Sequence, residues 1–361
     1  MSDEIWVLGA TGRTGRAIAR RLHEAGSTVV LVGRDGGRLA AVAAELGGAP
    51  RLVVGSLESS LTQLAQEAPA VVVNTVGPFT RTALQVVRAC PAGTSYVDLS
   101  NEYPAIDDVL RLDRQAARAG QVLVAGAAFG VLATESLVVR LCEDRPRPAR
   151  VRVDAMASVD SEAGPLGTAL AETIAEVAAF GGGQVRGGRL VRSHRVSGGN
   201  TTLTTPDGSV LTTGSGASGE LRAAWHASDA DDVVAASTLA PTNPLVQLAL
   251  PAVTALFRIG PVRRVLVARI ARIRLPEAAR SRASSWAHAR VEWPSGDSRE
   301  GWLRLGDASE FTADTAAEVT LRLLRGEGRP GAHTPATLFG AGLAEAVGGE
   351  FVLPGDTAPT R

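Results

Sequence analysis

Short apolar runs alternate with amphipathic stretches through the first third of the chain. Ile5-Trp6-Val7-Leu8 is apolar at every position, as a strand covered on both faces must be. A glycine-rich turn at 9–15 separates it from 16–24, where Ala17, Ile18 and Leu22 recur at helical spacing. The same alternation predicts strands at 28–32, 51–54, 70–75, 95–99 and 121–125. Helices are predicted between them at 36–46, 59–68, 81–90 and 107–119. Strands alternating with helices pair in parallel through right-handed crossovers, and six of them make a doubly wound α/β sheet of the Rossmann kind.

After about Gly130 the rhythm changes. A helix is predicted over 134–142 with Thr134 as its N-cap. Residues 151–158 alternate like a half-buried strand, and 168–180 read as a helix stopped by Gly181-Gly182-Gly183. Pro206-Asp207-Gly208 and Pro294-Ser295-Gly296-Asp297 each separate two strand-like runs, which predicts two hairpins. The stretches near 181–188 and 214–219 read as glycine-rich loops, and 312–325 and 335–346 as helices. The expected organisation is a Rossmann domain over 1–130 and an α+β substrate domain over 131–310, built on a largely antiparallel sheet.

Composition removes whole classes of chemistry. Of 361 residues, 45% are hydrophobic, and 37 basic residues balance 37 acidic ones. A neutral chain lacks the basic field that gathers nucleic acid. All of those basic residues are arginine. Without lysine there is no Schiff base, no Walker A phosphate loop and no Tyr-x-x-x-Lys proton relay. Cys90 and Cys142 stand in unrelated contexts, so neither a disulfide framework nor a zinc site is expected, and no metal. The acidic opening residues run into a strand, so no signal peptide is expected. The apolar stretch 245–257 is too short for a membrane span. These readings point to a cytoplasmic protein.

The turn Gly9-Ala10-Thr11-Gly12-Arg13-Thr14-Gly15 is a G-x-x-G-x-x-G motif between a strand and a helix. Glycines let backbone approach a pyrophosphate, and the helix N-terminus offers free N–H groups. A tight structural turn is the alternative. At the end of the second strand, NAD-preferring sites place an acid against the ribose 2′-hydroxyl. Here Arg34 stands, suited to a 2′-phosphate, with Arg13 as a second contact. Asp35 follows and can cap the next helix. NADPH is therefore expected over NADH, against the reading of Arg34 as a solvated charge.

Two further segments leave the carboxyl edge of the predicted sheet. Asn74-Thr75-Val76-Gly77-Pro78-Phe79 follows the fourth strand: Gly77 admits backbone close to a cofactor, Pro78 stiffens the loop, and Phe79 is either a nicotinamide neighbour or core. Tyr96-Val97-Asp98-Leu99-Ser100-Asn101-Glu102-Tyr103 follows the fifth. Its Asp98, Ser100, Glu102 and Tyr103 are candidate proton donors or acceptors. The competing reading has Asp98 and Ser100 satisfying loop N–H groups and capping a helix. Thr168 is a further candidate donor. His226, beside Trp225, is a candidate acid or a structural histidine.

Gly9-Ala10-Thr11-Gly12, the segment from Asn74 to Phe79, and Ala89-Cys90 with Gly93 and Tyr96-Val97-Asp98-Leu99 together resemble the saccharopine dehydrogenase-like oxidoreductases. With Gly331-Ala332-His333-Thr334-Pro335-Ala336 and Gly340 they resemble in particular the trans-acting enoyl reductase branch. The resemblance implies nicotinamide-dependent reduction and a C-terminal segment, 311–361, that returns to the Rossmann domain. It gives Gly9, Thr11, Gly12, Gly15, Gly77 and Pro78 roles in holding the cofactor. His333 is expected to brace the returning segment. The branch has an Asp-Ser-x-Pro-Ser-like run after the sixth strand, where this chain has Gly126-Ala127-Ala128-Phe129-Gly130-Val131. The native substrate is therefore expected to differ from that branch's. No arginine set matching the carboxylates of saccharopine is identifiable.

The expectation from sequence is hydride delivery from NADPH to a polarised C=C or C=N bond of a small molecule, by a chain that can form a homodimer. A non-catalytic NADP(H)-binding redox sensor is the alternative. The arginine-rich apolar stretch 245–275 raises peripheral membrane contact as a further alternative to packing or dimerisation.

Overall fold

The apolar runs of the first hundred residues become strands of one parallel sheet. The computed structural model describes residues 3–160, 164–165, 167–193, 200–243, 252, 254–275 and 282–354. The chain builds β1 (Ile5–Leu8), α1 (Arg13–Glu24), β2 (Val29–Gly33), α2 (Gly36–Leu46), β3 (Arg51–Val54), α3 (Leu57–Glu67), β4 (Val71–Asn74) and α4 (Phe79–Ala89). It continues through β5 (Ser95–Asp98), α5 (Tyr103–Leu110), α6 (Asp113–Arg118) and β6 (Val122–Val124). The helix expected over 107–119 is thus two short ones.

All four residues of β1 and of β4 are buried, which is why their sequences show no polar alternation. Helix α1 turns Gly15, Ile18, Ala19 and Leu22 inward, the i, i+3, i+4, i+7 stripe of a helix lying on a sheet. Asp35 caps α2, its carboxylate accepting from the Arg38 N–H at 3.0 Å, and Ser56 caps α3 in the same way. Pairing runs β1 with β2 and β4, β2 with β3, β4 with β5, and β5 with β6, every pair parallel. The direction of winding reverses between β1 and β4. Ligands of open α/β sheets bind at such a point, outside the carboxyl ends of the strands.

A second unit follows. Helix α7 (Phe129–Cys142) starts five residues before Thr134. Thr134 is therefore inside the helix, where its hydroxyl donates to the Gly130 carbonyl at 2.7 Å. The N-cap expected there is corrected, because the apolar run before it extends the helix backwards. Next come β7 (Arg150–Met156), the two-residue β8 (Gly164–Pro165), α8 (Thr168–Phe180), β9 (Gly182–Arg186), β10 (Arg189–Ser193), β11 (Asn200–Thr204), β12 (Val210–Ser215), α9 (Gly219–Ser228) and β13 (Asp232–Ser237). Helix α10 (Gly260–Ala271), β14 (Arg274–Leu275), β15 (Ser285–Glu292) and β16 (Ser298–Leu305) complete this passage.

The stretch read as a glycine-rich loop near 181–188 is instead a β-hairpin. Strands β9 and β10 pair antiparallel from Gly182↔Ser193 to Arg186↔Arg189. Only its turn uses the freedom of glycine, with Gly187 and Gly188 at φ of 53° and 68°. The second sheet runs β10-β9-β13-β7-β15-β16, with the β11–β12 hairpin joined to β13. Its pairings are antiparallel except β7 with β13.

Helix α11 (Ala308–Leu324) and strand β17 (Gly331–His333) then serve the first unit. Strand β17 pairs in parallel with β6, as the seventh strand of that sheet. Arg21 of α1 pairs with Glu310 and Asp314 of α11, and Phe129 meets Phe311 edge to face at 6.3 Å. Short helices α12 (Pro335–Phe339) and α13 (Gly342–Ala346) lead to β18 (Glu350–Val352), which pairs with β16 at the edge of the second sheet. The first unit is built from residues 1–100, 104–129 and 309–338, and the second from 101–103, 130–308 and 339–361. The return expected for all of 311–361 therefore divides at about residue 338.

Candidate functional site

The glycine turn sits at the carboxyl end of β1, at the winding reversal. Gly9 has φ of 82°, and its N–H donates to the Val32 carbonyl at 2.9 Å. The Gly9 carbonyl accepts from the Gly12 N–H at 2.9 Å, which closes the turn. A Cβ at Gly15 would run into the Gly9 carbonyl oxygen and lie 2.9 Å from Thr75 Oγ1. The same hydroxyl donates to the Leu8 carbonyl at 2.7 Å, so Thr75 braces the turn from the β4 side. Gly12 is the N-cap of α1 and has no side chain to cap it. No acid stands in the first turn either, so Arg13 and Thr14 begin a helix whose positive end is uncompensated. These backbone features suit a pyrophosphate.

Arg34 leaves β2 exposed, as does Arg13 at the start of α1, and neither has a hydrogen-bond or ion-pair partner among the described residues. Asp35 is occupied as the α2 cap. Sequence reasoning missed Arg38, whose guanidinium donates to the Thr11 carbonyl at 3.1 Å and so ties α2 to the glycine turn. It also missed Val54, an apolar residue 55% exposed at the end of β3, with the Gly36 Cβ position 3.5 Å from its methyl groups. The spacing Arg34-x-x-x-Arg38, and Val54 as the last apolar residue of its strand before Gly55, were the available signals.

Along the loops after β4 and β5 a buried polar chain runs between strands. Asn74 donates from Nδ2 to Tyr96 Oη at 3.2 Å and accepts the Val76 N–H on Oδ1 at 3.0 Å. The half-buried Val76 and Gly77 lead to Pro78, the α4 N-cap, through a cis peptide, and Phe79 opens the helix half-buried. Tyr96 Oη donates to Asp98 Oδ2 at 2.9 Å. Asp98 Oδ1 accepts from the Ser100 N–H at 2.9 Å, the Ser100 hydroxyl at 2.6 Å and the Gly126 N–H at 2.9 Å. Asp98 and Ser100 have no exposed surface. Burial pushes the Asp98 carboxyl above its ordinary range against these hydrogen bonds. Burial and then Asp98 hold the Tyr96 phenol well above its usual range. Asp98 thus ties the carboxyl ends of β5 and β6 together and accepts loop N–H groups, with Tyr96 between it and Asn74 of β4.

The remaining candidates belong to the second unit. Glu102 and Tyr103 are buried, and the Tyr103 ring stacks on Phe180 at 6.0 Å. Glu102 bridges Ser218, and the Glu102 carboxylate accepts the Asn101 N–H at 3.1 Å. His226 is exposed on the last turn of α9. Thr168 begins α8, and its side chain lies outside the described residues.

Two carboxylate centres were not foreseen. Glu220 of α9 is buried, accepts from Asn101 Nδ2 at 3.1 Å, and has an Oε2 with no well-formed hydrogen bond. Burial pushes this carboxyl up, against the Ser218 hydroxyl, its own N–H and Asn101. A Cβ at Gly130 would strike Glu220 Oε1, so the glycine makes room for the acid. In the second sheet His288 lies between Asp154 (Nδ1 to Oδ2, 3.1 Å) and Glu300 (Nε2 to Oε1, 2.9 Å). Arg152 pairs with Asp154 through Nη2 at 2.7 Å, and Thr213 donates to it at 2.7 Å. Burial raises the Asp154 carboxyl, but His288, Arg152 and Thr213 together hold it below the ordinary range. Cross-strand register makes this cluster, since Asp154 faces His288.

Among the described residues no group of three or more His, Cys, Asp or Glu side chains could hold a metal ion, and no helix is long and apolar enough to cross a membrane.

Residues 4–102 match the family model described as NADP oxidoreductase, coenzyme F420-dependent. A trans-acting enoyl reductase of Mycobacterium tuberculosis is 36% identical over 146 residues, covering 38% of this chain and 35% of the relative. One from Mycobacterium leprae is 33% identical over 154 residues, covering 39% and 37%. The match thus spans little more than a third of these curated relatives. Saccharopine dehydrogenase (L-Glu forming) of Saccharomyces cerevisiae, in its apo form, superposes with a TM-score of 0.58 at 11% identity, covering 97% of this chain and 100% of that one. Along its length the chain thus shares the fold of saccharopine dehydrogenase, and its amino-terminal residues 4–102 match the sequence pattern of an NADP oxidoreductase domain, a pyridine-nucleotide type of Rossmann unit.

Proposed function

We propose that this chain is an NADPH-dependent reductase that delivers hydride to a polarised C=C or C=N bond of a small molecule. One observation carries the reading: an uncapped helix N-terminus behind a glycine turn, with a guanidinium, Arg34, that has no partner among the described residues, at the end of the neighbouring strand. The residues fit a dinucleotide. The closeness of Gly15 to the Gly9 carbonyl leaves no room for a side chain in the cradle, and Asp35 is engaged by its own helix. The enoyl reductase relatives, matched over part of their length, support reduction of an enoyl group in particular.

When bound, the dinucleotide supplies the hydride. The backbone N–H groups of Arg13, Thr14 and Gly15 would hold its diphosphate, and Arg34 with Arg13 would grip the 2′-phosphate. Gly77, Pro78 and Phe79 shape the loop beside the ring that carries the hydride. Asp98 acts as a positioning residue: it fixes Ser100 and Gly126 through hydrogen bonds and so holds the strand ends in place.

Calorimetry with NADPH and NADH tests the cofactor assignment. A guanidinium–phosphate pair contributes about 1.5–3 kcal/mol, so Arg34→Ala is expected to weaken NADPH roughly ten- to a hundredfold and leave NADH unchanged. Tighter binding of NADH by the unaltered chain rejects the preference. NADPH consumption with a panel of enones, enoyl thioesters and cyclic imines tests the chemistry. Cofactor binding without turnover of any of them points to the sensor reading.

A further inference from the structure

Helices α8 and α10 pack on each other through Ala171, Ala175 and Val267, and Arg263 of α10 pairs with Glu176 of α8 at 2.6 Å. That contact uses one face of α10. Its other face is a stripe at helical spacing, 264, 265, 268, 269 and 272, all exposed. Arg264, Arg269 and Arg272 on it have no hydrogen-bond or ion-pair partner among the described residues. Val265 stands exposed among them at 56%, and Ile259 just before the helix and Ile273 just past it are exposed at 50% and 53%. Residues 254–275 carry six arginines and no carboxylate, in a chain whose net charge is zero.

Single exposed apolar residues are ordinary; a cluster of them among unneutralised cations marks an interaction face. An acidic macromolecule complements the guanidiniums and leaves the valine and isoleucines in water. An apolar partner covers those side chains and strands the cations. An anionic lipid surface complements both, because apolar tips enter the acyl boundary while guanidiniums reach the headgroup phosphates. We propose that the outward face of α10, with Ile259 and Ile273 at its ends, docks on an anionic bilayer surface. The contact is peripheral and reversible, and it does not depend on the cofactor assignment.

Co-sedimentation of the full chain with vesicles tests this, using phosphatidylcholine alone and phosphatidylcholine mixed with phosphatidylglycerol. The bound fraction is expected to be at least about fivefold higher on the mixed vesicles and to fall about fivefold at high salt. Arg264→Glu with Arg269→Glu should remove most of the binding. Val265→Ser with Ile273→Ser, which keeps every charge, should lower it about threefold or more. Unchanged thermal melting of both pairs is the folding control, as the substituted side chains are exposed. No retention on mixed vesicles at low salt overturns the proposal. Retention that the serine pair leaves intact also overturns it, since that is adsorption of the kind any acidic macromolecule would give.

Discussion

A carboxyl group that is buried with a vacant oxygen is costly to ionise, and Glu220 is such a group. Its Oε1 takes the Asn101 amide, its Oε2 has no well-formed partner, and burial outweighs the groups that favour its charge. A carboxyl whose folded pKa is raised contributes stability that is complete below its unfolded pKa. That stability is lost as pH rises through the folded value. Glutamine keeps an acceptor for Asn101 and cannot ionise. Glu220→Gln should therefore differ little from the unaltered chain in acid and become progressively more stable than it as pH climbs above the ordinary carboxylate range. Urea unfolding across pH measures the difference, in which other titrating groups cancel. A constant deficit of the variant at every pH would refute the argument. Asp154 has the opposite sign: His288, Arg152 and Thr213 hold its carboxyl low, so its contribution is present above the ordinary range and lost in acid.

At the scale of elements, the turn between β1 and α1 shows how steric limits and helix propensity separate stability from binding. Alanine gains about 1 kcal/mol over glycine inside a helix. The Cβ added by Gly15→Ala meets a backbone carbonyl, which cannot swing aside as a side-chain tip would. Overpacking of this kind costs about 1–3 kcal/mol, so the net change in stability should stay within about 2 kcal/mol. The displaced turn should nevertheless lower dinucleotide affinity by about tenfold or more. Urea unfolding and calorimetry on the same variant check both halves, and full NADPH affinity would show that the turn does not cradle the ligand. This element was legible in the sequence because glycine there answers a local requirement. Strands β1, β2, β4 and β6 were legible because burial of nearly every residue writes continuous apolar runs. Strand β9 was not: Gly182 and Gly183 look like a loop, and only pairing with β10 makes them a strand. The parallel match of β7 with β13 joins residues about eighty positions apart, and no local pattern encodes it. Glu220 and the Asp154–His288–Glu300 row escaped notice for the same reason, as each is made by register and packing rather than by spacing in one segment.

At the scale of the whole chain, the first unit closes only with residues supplied from near the far end. Helix α11 buries Phe311, Val319 and Leu323 together with several alanines, and β17 completes the sheet beside β6. Asp113 accepts the Ala332 N–H at 3.0 Å, which fixes β17 to α6, and His333 contacts the Arg329 carbonyl at 3.1 Å. At about 1.5–3 kcal/mol for each large apolar side chain, the three large residues of α11 alone contribute about 5–9 kcal/mol. That is comparable with the whole net stability of a domain, about 5–15 kcal/mol. A chain ending at Ala308 keeps the glycine turn, Arg34 and the loop at Gly77, yet leaves β6 as a bare parallel edge. It should show no cooperative unfolding transition for the dinucleotide unit and no measurable NADPH binding, although every proposed contact residue for the cofactor is present. Circular dichroism melts and calorimetry on the shortened and full chains decide the point. A shortened chain that melts cooperatively and binds NADPH as the full chain does would mean that the residues before 309 suffice, and that α11 and β17 serve some purpose other than completing this fold.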